Sequence, residues 1–195
     1  MKNLTKSLIL VLTLAVVLVG CKQPTALVDS AKAAIDDVIK AGADKYAPVE
    51  LAAVQDSLTK AMDEIAGQDK KFFKKFGPAK EMLDKIKVDA EALKAALPAK
   101  IDAVKTEAVA MQASLGTMIV EVKDMLKKAP KGKGTAKDLE ALAGDLAGAE
   151  TEAAGIQTAL DAQDYIGALN TAKAVTAKVT SVKEQIQAAI DKVKK

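Results

Sequence analysis

The most restrictive feature of this chain is a run of apolar residues that recur alternately every three and four positions. The longest run, here called the central seam, consists of Ile101, Val104, Ala108, Met111, Leu115, Met118, Val122 and Met125. Residues at this spacing share one face of an α-helix, because the helix has about 3.6 residues per turn. In a β-strand, where side chains alternate, they would be divided between two faces. The central seam therefore predicts a long helix that packs against other helices.

Similar spacing on both sides of the central seam predicts five or six helices. The chain has three Phe, two Tyr and no Trp among its 195 residues, so it is poor in the aromatic residues that strands favour. Pro98 lacks a backbone N–H and should kink or break the helix that contains it. We expect an all-α fold: an elongated antiparallel bundle with heptad-like seams, forming one domain over residues 25–195, with one long central helix kinked or broken at Pro98.

Several residues predict local details of this bundle. Thr25 is suited to cap the first helix, Gly42 to end it, and Pro48 to occupy the first turn of the next one. Three glycines lie on the helix that follows the central seam. Since glycine lowers helix stability relative to alanine, we expect close contact between helices there, at Gly144, Gly148 and Gly155.

The N-terminus has the layout of a secretory signal. Lys2 and Lys6 precede an apolar stretch, residues 8–19, and the small residue Gly20 follows before the single cysteine, Cys21. The stretch is shorter than the ~20 residues that a membrane-spanning helix needs. Residues 1–20 are therefore predicted to be a signal peptide that is cleaved off. The alternative is an apolar helix that ends at a buried free cysteine.

The residues Leu18, Val19, Gly20 and Cys21 resemble the lipobox of bacterial lipoproteins. The resemblance implies that signal peptidase II cuts after Gly20, and that the Cys21 sulfur carries diacylglycerol and its amine an acyl chain. Residues 21–24 would then form a lipidated tether. In lipoproteins of this kind an aspartate after the cysteine favours inner-membrane retention, and here that residue is Lys22. The resemblance therefore implies an envelope protein on the outer membrane, facing the periplasm.

Charge and composition exclude several kinds of partner. After cleavage the chain has 27 basic and 26 acidic residues, because two of the 29 basic residues precede Cys21. All the basic residues are lysines, so bidentate guanidinium recognition of phosphate is excluded. A chain without an excess of positive charge is not expected to bind nucleic acid.

The sequence offers little to catalysis or metal binding. It contains no histidine, which removes the commonest general base and metal ligand. Met111, Met118 and Met125 are too far apart along a helix, roughly 10 Å between successive residues, to share one copper ion. We expect them to fill the core. We therefore expect no enzyme activity, no cofactor and no metal.

All three phenylalanines lie in one lysine-rich segment, QDKKFFKKFG, which spans residues 68–77. On a helical turn Phe72 and Phe76 would share one side. One interpretation is that the phenylalanines close one end of the core while the lysines are solvated. A second is a patch that contacts membrane headgroups, and a third is a surface for a protein partner. The residues concerned are Phe72, Phe73, Phe76, Lys71, Lys74 and Lys75.

Two further resemblances concern the envelope. Residues 46–61, which contain an Ala-Pro-Val-Glu-Leu start, and residues 164–175 resemble an uncharacterised helical domain of bacterial envelope lipoproteins. The chain also resembles the murein lipoproteins of enteric bacteria in its lipobox, its helices and its terminal lysine. That resemblance implies attachment of Lys195 to peptidoglycan, whereas an ordinary lysine-rich helix end is the alternative.

Two functions remain open at this point. The first is a non-enzymatic structural or adaptor lipoprotein that binds an envelope protein through its helices, or that tethers the membrane to the cell wall. The second is a module that binds a lipid or a small apolar ligand at the membrane surface. Small alanine side chains draw helices together and disfavour the large cavity that the second function needs.

Overall fold

The computed structural model describes residues 22–130 and 135–193, with only the backbone of Val193. This part of the chain is helical and contains no β-strand, which confirms the predicted all-α class. Its six helices are α1 (Thr25–Lys40), α2 (Ala43–Tyr46), α3 (Pro48–Asp69), α4 (Gly77–Lys128), α5 (Ala136–Asp161) and α6 (Tyr165–Val193).

The helices pack as two compact units, and the boundary between them falls within α4. The first unit ends at Lys100 and the second begins at Ile101. The single bundle domain expected from the sequence is thus divided in two. The burial of α4 gives the physical reason, because none of its residues between Leu97 and Ala108 is fully buried. Each unit therefore assembles a core of its own.

The first unit consists of α1, α2, α3 and the first part of α4. Its core takes residues from all of these helices, including Ile35, Leu51, Ile65, Leu83 and Leu97.

The turns of the first unit agree with most of the local predictions. Gly42 has a φ of 97°, a left-handed conformation that glycine adopts without a steric penalty, and it follows the end of α1 as predicted. Pro48 begins α3, also as predicted. The prediction for Thr25 was wrong, since α1 starts at Thr25 itself and its N-cap residue is Pro24.

The second unit consists of the rest of α4 with α5 and α6. The central seam faces its core: Ala108, Leu115 and Val122 are buried, and the intervening methionines are half-buried against the same cluster, as expected of core residues. These methionines are Met111, Met118 and Met125.

The connection between α5 and α6 is tight. Gln163 has a φ of 59° and is the only residue other than glycine with a positive φ in the part of the chain that the structure describes. The Asp164 Oδ1 atom then accepts a hydrogen bond of 3.1 Å from the Gly167 N–H, which satisfies one of the free donors at the start of α6.

Pro98 does not break α4. The helix is continuous from Gly77 to Lys128 with the proline inside it, and the proline is exposed to solvent. Because Leu97 packs into the first core and Ala108 into the second, burial on both sides of the proline offsets the cost of the missing hydrogen bond.

The prediction of close helix contact at the α5 glycines was wrong. A Cβ atom built on Gly144, Gly148 or Gly155 would meet no atom within 4 Å. All three are exposed, and Gly144 and Gly148 line an open groove beside α6 without close contact to it.

Candidate functional site

The segment with the three phenylalanines is a loop between α3 and α4, here called the aromatic loop (residues 70–76). Phe72 is 93% exposed and Phe73 is 78% exposed. Their rings touch each other edge to face, with centroids 5.0 Å apart and an angle of 86° between the ring planes. The two rings therefore form one apolar projection on the surface of the first unit.

Phe76 behaves differently from the other two phenylalanines. Its side chain is fully buried in the core of the first unit. Of the three interpretations, closure of the core therefore holds for Phe76 and not for Phe72 and Phe73. The predicted sharing of one helical side by Phe72 and Phe76 was also wrong, because the segment is not helical.

A buried glutamine holds the aromatic loop in place. Gln68 is only 7% exposed, and its Nε2 atom donates a hydrogen bond of 2.8 Å to the Glu64 Oε1 atom. Its Oε1 atom accepts a hydrogen bond of 3.1 Å from the backbone N–H of Lys75. The loop is thus tied at both ends, by Gln68 where it starts and by Phe76 where it ends.

The charges around the loop are mostly positive. Lys74 forms an ion pair with Asp69, with its Nζ atom 3.0 Å from the Asp69 Oδ1 atom. Lys70, Lys71 and Lys75 are exposed and form no ion pair with any residue in the described ranges. Lys71, Lys74 and Lys75 lie within two positions of the exposed rings in the sequence, while Phe76 is buried and lies outside the predicted patch.

The start of the described chain lies beside the aromatic loop. The Gln23 Nε2 atom donates a hydrogen bond of 3.0 Å to the Asp69 Oδ2 atom, so one carboxylate binds both Gln23 and Lys74. Pro24 is buried. Next to this contact, a groove of about 300 Å³ runs between the start of α1 and the end of α3; Val28, Met62 and Ile65 contribute its apolar lining.

Reasoning from the sequence missed the residues that organise this site. The buried Gln68 and the link between Gln23 and Asp69 join positions with no shared pattern in the sequence. Only the crowding of phenylalanines and lysines signalled the loop. The predicted acylation and cleavage residues, Gly20 and Cys21, and the predicted peptidoglycan attachment residue, Lys195, lie outside the described residues and stay predictions.

The described titratable side chains do not meet the requirements of a metal site. Within the described ranges, no group of three or more acidic, cysteine or histidine side chains is arranged to hold a metal ion. In the first unit Lys100 donates a hydrogen bond to Glu50, and this bond holds the pKa of Glu50 below its usual range. Both side chains are partly exposed, so the contact is a surface ion pair.

In residues 22–130 and 135–193, no helix is both long enough and apolar enough to cross a bilayer. Comparison with known proteins finds no match to this chain, whether among protein-family models, curated proteins or solved structures.

Proposed function

We propose that this chain is an envelope lipoprotein, anchored to the outer membrane through Cys21, that acts as a non-enzymatic structural or adaptor protein. The observation that carries the proposal is the sequence at Cys21. The only cysteine in the chain ends an apolar stretch of signal-peptide length and follows residues that resemble a lipobox.

The fold after Cys21 supports this proposal. Gln23 and Pro24 already pack on the first unit and α1 begins at Thr25, so the helical body starts within four residues of the predicted lipid. Such a short tether would hold the first unit at the bilayer surface. Two or three acyl chains, each contributing ~0.8 kcal/mol per buried CH₂, would make the attachment durable.

Replacing the sulfur tests the proposal directly. In cells given labelled palmitate, we expect the protein without substitutions to incorporate the label and to sediment with the outer membrane. The Cys21→Ser variant should lose the label and remain uncleaved. Lys22→Ala, which leaves the sulfur in place, is the matched control. It should incorporate the label and be cleaved as the protein without substitutions is. Equal labelling of Cys21→Ser and the control would contradict the proposal.

The membrane and the partner need separate experiments. Lys22→Asp should shift the acylated protein toward the inner membrane, whereas an unchanged distribution between the two membranes would contradict the proposed outer-membrane location.

Crosslinking in intact cells tests for a partner. It should recover one envelope protein reproducibly with the acylated form and not with Cys21→Ser. Recovery of only the uncrosslinked chain would argue against an adaptor. Release from the cell wall only after muramidase digestion would identify a wall tether, for which Lys195 is the predicted attachment residue.

A further inference from the structure

We propose that the aromatic loop is a second membrane contact, in which Phe72 and Phe73 insert among the headgroups of an anionic bilayer beside the lipidated N-terminus. This inference rests on the proposed function for the presence of the lipid. It adds a residue-level interaction surface and a fixed orientation for the first unit.

The first argument is position. Gln23 is hydrogen-bonded to Asp69, the last residue of α3 before the loop. Two residues of extended chain span at most about 7 Å, so acyl chains on Cys21 would enter the bilayer within that reach of Gln23. The aromatic loop therefore lies on the part of the first unit that the lipid would hold against the membrane.

The second argument is the exposure of the rings. Phe72 and Phe73 are the most exposed phenylalanines of the chain, and they contact each other while the third phenylalanine fills the core. The bonds of Gln68 to Glu64 and to the Lys75 N–H keep the loop in a defined conformation. Two aromatic rings held in water in this way indicate a surface that is covered when the protein acts.

The third argument is charge, which favours a bilayer over a protein partner. From Lys70 to Lys80 the chain contains five lysines and no acidic residue. The nearest acid, Asp69, is already paired with Lys74. Aromatic side chains flanked by lysines are typical of segments that lie in the headgroup region of anionic membranes.

The contact would orient the first unit. Val49 lies near the start of α3, 20 positions before Asp69, which corresponds to about 30 Å along the helix axis. In the proposed orientation the axis of α3 points away from the bilayer, so that Val49 stays in water while the aromatic loop lies among the headgroups. Val49 is also 78% exposed, the same fraction as Phe73, so the two positions make a matched pair.

Tryptophan fluorescence can test the inference, because the chain contains no tryptophan. The acylated Phe73→Trp and Val49→Trp variants are reconstituted in vesicles of phosphatidylethanolamine and phosphatidylglycerol, with and without brominated acyl chains. Flotation with the vesicles reports the lipid anchor, and far-ultraviolet circular dichroism reports the fold. We expect the emission of Phe73→Trp to shift to shorter wavelength and to be quenched by bromine, and the emission of Val49→Trp to show neither change.

Other outcomes would contradict the membrane contact, the acyl anchor or the role of the lysines. If both variants float and Phe73→Trp is not quenched more than Val49→Trp, the inference is overturned while the lipoprotein proposal stands. A shift of Phe73→Trp without quenching would show that protein covers the ring, which also overturns it. Failure of both to float would instead count against the acyl anchor. Quenching should weaken when phosphatidylcholine replaces phosphatidylglycerol, and equal quenching would overturn the role given to the lysines.

Discussion

The two units differ in their phenylalanines, all three of which lie in the first unit. In the first unit seven residues join α3 to α4, and they include two exposed phenylalanines; in the second unit three residues join α5 to α6. The second unit packs its core without phenylalanine, from aliphatic residues on regular seams. Aliphatic seams alone are thus enough to build a helical unit of this chain. The exposed rings of the first unit are not part of its core, and this is why we assign them a contact outside the chain.

The largest expected effect separates the buried from the exposed phenylalanines. Phe76→Ala should lower the free energy of unfolding by about 3–5 kcal/mol, because it leaves a cavity in the core of the first unit. Phe72→Ala removes the same atoms from a solvated position and should change it by less than about 0.5 kcal/mol. Urea denaturation followed by circular dichroism measures both. Similar losses for the two variants would mean that Phe72 supports the fold, and would remove the basis for its assignment to the membrane.

The helix shared by the two units provides the next test. Pro98→Ala restores a backbone donor in the interior of α4 and should raise the free energy of unfolding by up to about 3 kcal/mol. Pro48→Ala is the matched control, because proline is tolerated in the first turn of a helix and its replacement should have little effect. Thermal denaturation of the two variants measures the difference in their stability. A Pro98→Ala variant no more stable than Pro48→Ala would show that the proline costs α4 nothing.

The turns after α1 and α5 should respond in opposite directions. Gly42→Ala places a Cβ on a residue with a φ of 97°, at a cost of roughly 1–2 kcal/mol. Gln163→Gly removes the Cβ from a residue with a φ of 59° and should stabilise the second unit by about 1 kcal/mol. Urea midpoints of the two variants provide the comparison. Changes of the same sign would contradict the left-handed conformation of one of the two residues.

The smallest expected effect is electrostatic. The hydrogen bond from Lys100 lowers the pKa of Glu50 in the folded protein. The pair therefore stabilises the fold above the ordinary carboxyl pKa, and this contribution is lost as the pH falls through the lower pKa of the folded state. Lys100→Met should raise the pKa of Glu50, as measured by nuclear magnetic resonance titration. Lys60→Met, at an exposed position on α3, should leave it unchanged, and equal values in the two variants would refute the assignment.

The regular parts of the fold could be predicted from the sequence, and the irregular parts could not. Spacing identifies the buried faces of α4, α5 and α6, because burial of one face imposes the helical period on the sequence. The continuity of α4 through Pro98 depends on packing before and after the proline, which no local rule includes. The division into two units likewise follows from where burial stops along α4.

The candidate site also could be predicted only in part from the sequence. Three phenylalanines among lysines marked the segment, but spacing placed Phe72 and Phe76 on one side of a helix. The structure separates them, because Gln68 bonds to the backbone of Lys75 and the chain leaves the helix at Asp69. A hydrogen bond between residues seven positions apart leaves no trace in the spacing of apolar residues. Composition could therefore locate the site, but the sequence could not predict which rings are exposed.

The central claim is that acylation of Cys21 holds the first unit at a membrane. Mass spectrometry of the N-terminal peptide, taken from protein extracted from cell membranes, tests it most directly. The account predicts a chain that starts at Cys21 and carries both a thioether-linked diacylglycerol and an amide-linked acyl chain. A membrane-extracted protein that still starts at Met1, or that starts at an unmodified Cys21, would contradict it.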